Sequence, residues 1–161
     1  MRATVDAKEF SNALDKVGRV LGKSKSIPAL EEAMVSFSGR RCVLTGGDLS
    51  TWLTAEIPAQ GDDFAFVFHR TANVVKACRR LDGELTLELT ETGEGRERQL
   101  RLCMSCGDRA GEFYAFFPED YPKMPVLELE HSFTAGATSL LERVGRITYA
   151  TLKASPATDV R

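Results

Sequence analysis

With 161 residues, 43% of them hydrophobic and 27% charged, the chain has ordinary globular composition and enough length for one good core and part of a second. No apolar run nears the roughly 20 residues that span a bilayer, and residues 1–10 hold no apolar signal core, so membrane insertion and secretion are not expected. The formal net charge of −2 favours no partner class, and the four cysteines (Cys42, Cys78, Cys103, Cys106) fit a reduced, cytoplasmic chain better than a disulfide scaffold.

Residues 2–5 alternate and predict a strand. Asp6 followed by Glu9 is a capping box that opens a helix over residues 7–22, with Phe10, Ala13, Leu14, Val17 and Leu21 at helical spacing and Gly22 as C-cap. Three strands follow: 33–37, 41–45 after a turn at 38–40, and 49–57 after a turn at Gly46–Gly47–Asp48. The pattern then restarts. Residues 64–68 predict a strand and 70–81 a helix whose buried side is Val74, Ala77, Cys78 and Leu81. Leu85, Leu87 and Leu89 share a strand face, as do Leu100, Leu102 and Met104 across a glycine loop near Gly93, and 112–117 is the last strand. Strand, helix, three strands therefore occurs twice. The expected architecture is α+β, two such units with both helices on one face of an antiparallel sheet.

A longer repeat is visible in the residues. ALDKVGRV at 13–20 and LLERVGRI at 140–147 lie 127 residues apart, and Pro28 and Pro156 keep nearly that spacing. A repeat of domain length implies tandem domains. FFPEDYPKMP at 116–125 carries three prolines, which remove donors and disfavour helix, so it reads as an extended connection that Tyr121 and Met124 could anchor. The expected division is a first domain over 1–125 and, over 126–161, the strand and helix that begin a second.

The charges are not evenly spread. Residues 7–25 carry Lys8, Lys16, Arg19, Lys23 and Lys25 against Glu9 and Asp15, net +3. Residues 70–81 carry Arg70, Lys76, Arg79 and Arg80 with no acid, net +4, and residues 134–153 carry Arg143, Arg146 and Lys153 against Glu142, net +2. The three helical segments hold +9 and the remainder −11. One basic helix face is usually just solvated. Three with the same bias point to a surface that meets phosphates, where cations release counterions. No aromatics interleave these bases, and no helix-turn-helix or zinc-finger pattern is present, which leaves sequence-independent contact with a duplex backbone.

Signals for chemistry are weak. Cys103 and Cys106 form one CxxC, half of a zinc site, and in a strand they point to opposite faces, so no metal or cofactor is expected. His69 and His131 are isolated. There is no nucleophile elbow, P-loop or GxGxxG, and Asp48 after two glycines reads first as a turn residue. A non-catalytic protein is expected.

Six stretches together resemble one family: TVDAKEFSNALDKV at 4–17, SIPAL at 26–30, LTGGDLS at 44–50, VVKACRRL at 74–81, FFPEDYPKMP at 116–125 and SPATDVR at 155–161. In order and spacing the chain is similar to the N-terminal part of the bacterial DNA polymerase III beta subunit, the sliding clamp. The resemblance implies a non-enzymatic processivity factor of the replicative polymerase, cytoplasmic, whose helices line a ring around double-stranded DNA. It implies DNA polymerase III and the clamp loader as partners, and a head-to-tail homodimer for a full-length chain. By position it assigns DNA contacts to Lys23 or Lys25, to Arg79 and to Arg161, with Arg70 substituting where the family often has a base and this chain has Ala72. With the charge reading, the expected contact set is Lys23, Lys25, Arg70, Lys76, Arg79, Arg80, Arg143, Arg146 and Arg161. The family's peptide pocket and its ring-closing third domain lie in later parts, so a truncated or short form is expected to lack both. Two other classes stay open: a stand-alone clamp-like domain that binds replisome proteins without encircling DNA, and a small-molecule-binding α+β domain with a pocket between helices and sheet.

Overall fold

The computed structural model describes residues 1–22, 27–93, 98–125, 131 and 134–148, and the chain divides into a unit over Met1–Met124 and a second over Pro125–Arg161. The first unit begins with β1 (Arg2–Asp6) and α1 (Ala7–Gly18), followed by β2 (Met34–Ser38), β3 (Arg41–Gly47), β4 (Trp52–Pro58) and the short β5 (Gln60–Gly61). The motif then repeats as β6 (Phe64–Phe68), α2 (Thr71–Cys78), β7 (Glu84–Thr92), β8 (Gln99–Cys106) and β9 (Arg109–Phe116). Short 3₁₀ turns occupy Pro28–Glu31 and Pro118–Asp120.

All the described pairings are antiparallel, in the order β4-β3-β2-β6-β9-β8-β7-β1-β5. Within the first unit, the first strand of each strand–helix–strand repeat leaves its own meander and pairs with the other's: β1 lies on β7 with Ala3 opposite Leu87, and β6 lies on β2 with Val35 opposite Phe66. This exchange ties the two repeats into one sheet. The order starts at β4 and ends at β5, which only Ala59 separates in sequence, so the two ends of the sheet meet.

Alternation decides which side is covered. Phe64, Phe66 and Phe68 turn to the helices, as do Leu85, Leu87, Leu89, Leu100, Leu102 and Met104. Phe10 of α1 meets Phe68 edge-on at 6.4 Å, and Phe68 meets Phe66 at 5.1 Å. Each such buried side chain is worth about 1.5–3 kcal/mol, so a single core holds both helices on one sheet face.

Local details depart from the sequence reading for physical reasons. Helix α1 opens as expected, with Asp6 accepting from the Lys8 and Glu9 amides at 2.9 Å. It closes at Gly18 rather than near Gly22, with Arg19 as C-cap. Gly46 and Gly47 are not in the turn; they are paired residues of β3, opposite Leu53 and Trp52. A Cβ on Gly46 would lie 2.6 Å from Val17 Cγ1, and one on Gly47 2.7 Å from the Trp52 ring. Close approach of β3 to α1 and to Trp52 therefore requires glycine. The turn itself is built by Asp48, whose carboxylate accepts from the Thr51 amide at 2.7 Å, the Ser50 hydroxyl at 2.8 Å and the Ser50 amide at 3.1 Å. Those donors, the Thr51 amide foremost, hold its pKa below the usual carboxylate range.

The proline segment is fastened to the first unit by Tyr121. Its ring is buried and meets Trp52 edge-on at 6.4 Å, and its hydroxyl donates to the Glu32 carbonyl at 3.1 Å and more weakly to the Thr45 carbonyl at 3.4 Å. Burial pushes the phenol up to about 12. Met124, expected to help, is 48% exposed.

In the second unit the described structure is α3 (Ala137–Thr148). Leu140, Leu141, Val144 and Ile147 form its apolar stripe and are exposed. The strand expected ahead of it falls largely outside the described residues.

Candidate nucleic-acid interface

Helix α2 buries Thr71, Val74, Val75 and Cys78. Ala77, expected on that side, is exposed, and Val75 takes its place. The reason is the neighbouring helix: a Cβ on Gly18 of α1 would sit 3.8 Å from Val75 Cγ2. The helix therefore packs against α1 as well as the sheet. It ends at Cys78, which leaves Arg79 and Arg80 in the turn just beyond it.

The start of α2 is capped from a distance. Arg70 occupies the N-cap position in the left-handed region, φ 62°, and offers no side-chain cap. Glu32, next to the first 3₁₀ turn, supplies one instead. Its carboxylate accepts from the Arg70 amide at 2.8 Å and from the Thr71 amide and hydroxyl at 2.6 Å each. The Thr71 hydroxyl oxygen in turn accepts from the Ala33 amide at 2.9 Å. A carboxylate at a helix N-terminus is favoured by the orphan N–H groups and the dipole.

The bases expected to meet DNA fall into three groups. Lys23, Lys25 and Arg161 lie outside the described residues. Arg70, Lys76, Arg79 and Arg80 are exposed at the two ends of α2. Arg143 and Arg146 are exposed on α3. Among the described residues, Arg70, Lys76, Arg80, Arg143 and Arg146 make no ion pair, and neither does Lys16 on α1.

Arg79 differs. Its Nη2 lies 2.6 Å from Asp15 Oδ1, while Arg19 Nη2 lies 2.8 Å from Asp15 Oδ2. One carboxylate of α1 thus holds two guanidiniums and ties α1 to the end of α2. The Arg79 hydrogen bond, then the Arg19 one, keeps the Asp15 pKa below its ordinary 3.8. These groups, with Lys76 and Glu31, line a groove of about 560 Å³ between the helices. The i,i+4 spacing of Asp15 and Arg19 is a readable signal. Nothing in the sequence joins Asp15 to Arg79, 64 residues away.

The chemistry-bearing residues are otherwise dispersed. Cys103 is exposed and Cys106 buried, with Cys106 Sγ donating to the Asp82 carbonyl at 3.2 Å. Among the described residues no three His, Cys, Asp or Glu side chains converge as a metal site, and no helix is long and apolar enough to cross a membrane. His69 stands edge-on to Phe116 at 5.0 Å, and His131 is exposed.

No protein-family model matches the chain, and no curated protein does. Solved structures do. A Helicobacter pylori beta clamp bound to a DNA ligase peptide superimposes with TM-score 0.79 at 17% identity, over 98% of this chain and 42% of that one. A Pseudomonas aeruginosa sliding clamp (DNA polymerase III subunit beta) bound to griselimycin gives 0.77 at 18%, over 97% and 41%. A Caulobacter crescentus beta sliding clamp gives 0.66 at 21%, over 78% and 32%. The likeness establishes a sliding-clamp domain fold, and the chain spans between 32% and 42% of the length of these proteins.

Proposed function

We propose that the chain is a clamp-type module of DNA replication whose α1–α2 face lies along the sugar-phosphate backbone of duplex DNA without reading its sequence. It does no chemistry itself and serves to hold a polymerase on its template. Residues 1–125 act as an N-terminal clamp domain and 126–161 as the opening of a second. The observation that carries the reading is the set of cations at the helices' outward ends, Lys16, Arg70, Lys76 and Arg80, which no acid neutralises among the described residues. Each can neutralise a phosphate, releasing the duplex's condensed counterions to bulk, at no cost in broken ion pairs. Arg143 and Arg146 belong to the same set through the repeat that relates α3 to α1, and Lys23, Lys25 and Arg161 extend it by resemblance.

Fluorescence anisotropy with two short duplexes of unrelated sequence, at about 50 and about 200 mM salt, tests this. Expected is a Kd on the order of 10⁻⁴–10⁻⁶ M for both duplexes, weakening steeply at the higher salt. Salt-independent binding, strong preference for one duplex, or no binding overturns it.

A further inference from the structure

We propose that the pocket where the proline segment meets the first 3₁₀ turn and the β6–β9 junction binds a small organic cation with a flat, delocalised charge, of the guanidinium or arylamidinium class. The inference goes beyond the duplex-binding reading and does not rest on it. The pocket measures about 320 Å³, and its lining is mostly apolar. Much of that lining is aromatic. Tyr121 is buried, and its hydroxyl is committed to backbone carbonyls, which leaves its ring as the surface it offers. Phe116 is 47% exposed and stands edge-on to the His69 ring at 5.0 Å. Ring faces carry the negative part of the aromatic quadrupole and attract cations. Phe117, also in the lining, already receives one: the Arg98 guanidinium lies 4.7 Å from its ring centroid.

The polar groups around these rings are acceptors. Glu31 and Glu32 line the pocket, no lysine or arginine does, and neither glutamate makes an ion pair among the described residues. Glu32 is engaged with the start of α2 and contributes its charge, whereas Glu31 is exposed and can turn to a ligand. Nδ1 of His69 is buried with no hydrogen-bond partner among the described residues. With the ring proton on Nε2, it is an acceptor that the protein leaves unused. The groove between α1 and α2 shares Glu31 but holds Arg19, Lys76 and Arg79, which disfavour a cation there. Charge complementarity therefore calls for a cation at this pocket, and the rings call for a flat one. A planar group with several N–H donors and a spread charge meets the carboxylate, the imidazole and the ring faces together. An alkylammonium meets the carboxylate and lays no face on the rings. A neutral aromatic fills the rings and leaves the glutamates uncompensated.

Benzamidine is the probe, titrated into the isotope-labelled full chain without DNA and followed through its backbone amide shifts. Saturable shifts are expected at Glu31, His69, Phe116, Phe117 and Tyr121, with a Kd of about 1 mM or tighter. Benzamide, which has nearly the same shape and no charge, and butylammonium, which has the charge and no ring, should each bind at least about fivefold more weakly. Glu31→Gln removes the unpaired charge from an exposed position, and Phe116→Ala removes a half-exposed ring. Each is expected to weaken benzamidine at least about threefold with an unchanged circular dichroism spectrum. If Phe116→Ala lowers Tm, Glu31→Gln decides alone. No saturable shift up to about 10 mM benzamidine, equal binding of benzamide or butylammonium, or full retention by Glu31→Gln overturns the proposal. Neither variant touches the proposed DNA-contact set and no duplex is present, so the two readings fail separately.

Discussion

Most basic residues on the sheet of the first unit are paired with acids, Arg109 of β9 being an exception, and those at the ends of its helices mostly are not. Arg2 lies 3.4 Å from Glu88, Arg41 3.4 Å from Glu56, and Arg101 3.2 Å from Glu112, while Arg98 pairs with Glu91. On the helices Lys8 is matched by Asp82 at 3.0 Å, and Asp15 serves Arg19 and Arg79 together, but Lys16, Arg70, Lys76 and Arg80 have no acid partner. Neighbouring strands set side chains about 5 Å apart, so an acidic sheet neutralises its own arginines. Exposed pairs of this kind are worth at most about 1 kcal/mol, so the contrast concerns where positive field remains and has little to do with stability. A count of charges along the chain shows where the bases are, and only the pairing shows which are available.

The largest expected effect follows from removing the available ones. Lys16→Ala, Lys76→Ala and Arg80→Ala together should cut duplex affinity about 30-fold or more and lower the salt slope by about 2 to 3. The matched triple on the sheet, Arg2→Ala, Arg41→Ala and Arg101→Ala, should leave both unchanged. Anisotropy titrations at several salt concentrations compare the two, and equal losses from both triples would erase the distinction between the faces. Tm should move little in either variant, because these side chains are exposed.

The helix face also has to be held in position. Glu32→Ala removes the cap that serves Arg70 and Thr71 and leaves three donors of α2 to water or to nothing. A loss of about 2 kcal/mol is expected in urea unfolding. A change below about 0.5 kcal/mol would mean that α2 does not depend on this carboxylate.

Asp15 sharpens the comparison from inside the basic face. Asp15→Asn should release Arg19 and Arg79 and raise duplex affinity about threefold, with a steeper salt slope. Weaker binding would mean that Asp15 aims Arg79 at the phosphate instead of withholding it. The pH dependence has a fixed sign. The folded pKa of Asp15 is depressed, so its contribution is complete above the unfolded value near 3.8 and is lost as pH falls through the lower folded value. Thermal stability should therefore decline below about pH 4, less steeply in Asp15→Asn than in the wild type, as thermal melts across that range would read.

The architecture was legible because both periods are clean. Phe10, Ala13, Leu14 and Val17 repeat at helical spacing and are buried, and Leu85, Leu87, Leu89, Leu100, Leu102 and Met104 alternate and are buried. The unit pattern of strand, helix and three strands followed from them. The misread details arise where a second element intervenes. Val75 is buried because Gly18 of another helix lies over it, and Gly46 is glycine because Val17 and Leu21 leave no space for a Cβ. Neither contact has a local signature. The basic segments were visible as composition, but Asp15 beside Arg79, Glu32 beneath Arg70 and Arg109 beside Arg80 join residues 64, 38 and 29 positions apart.

Backbone amide shifts of the isotope-labelled chain, followed by NMR as a short duplex is added at low salt, test the central claim most directly. The account predicts that perturbations concentrate at Lys16, at Arg70 and from Lys76 to Arg80, with β3, β4, β7 and β8 unmoved, and that they fade together as salt is raised. Perturbations centred on the strand arginines, or spread evenly over both faces, would contradict it.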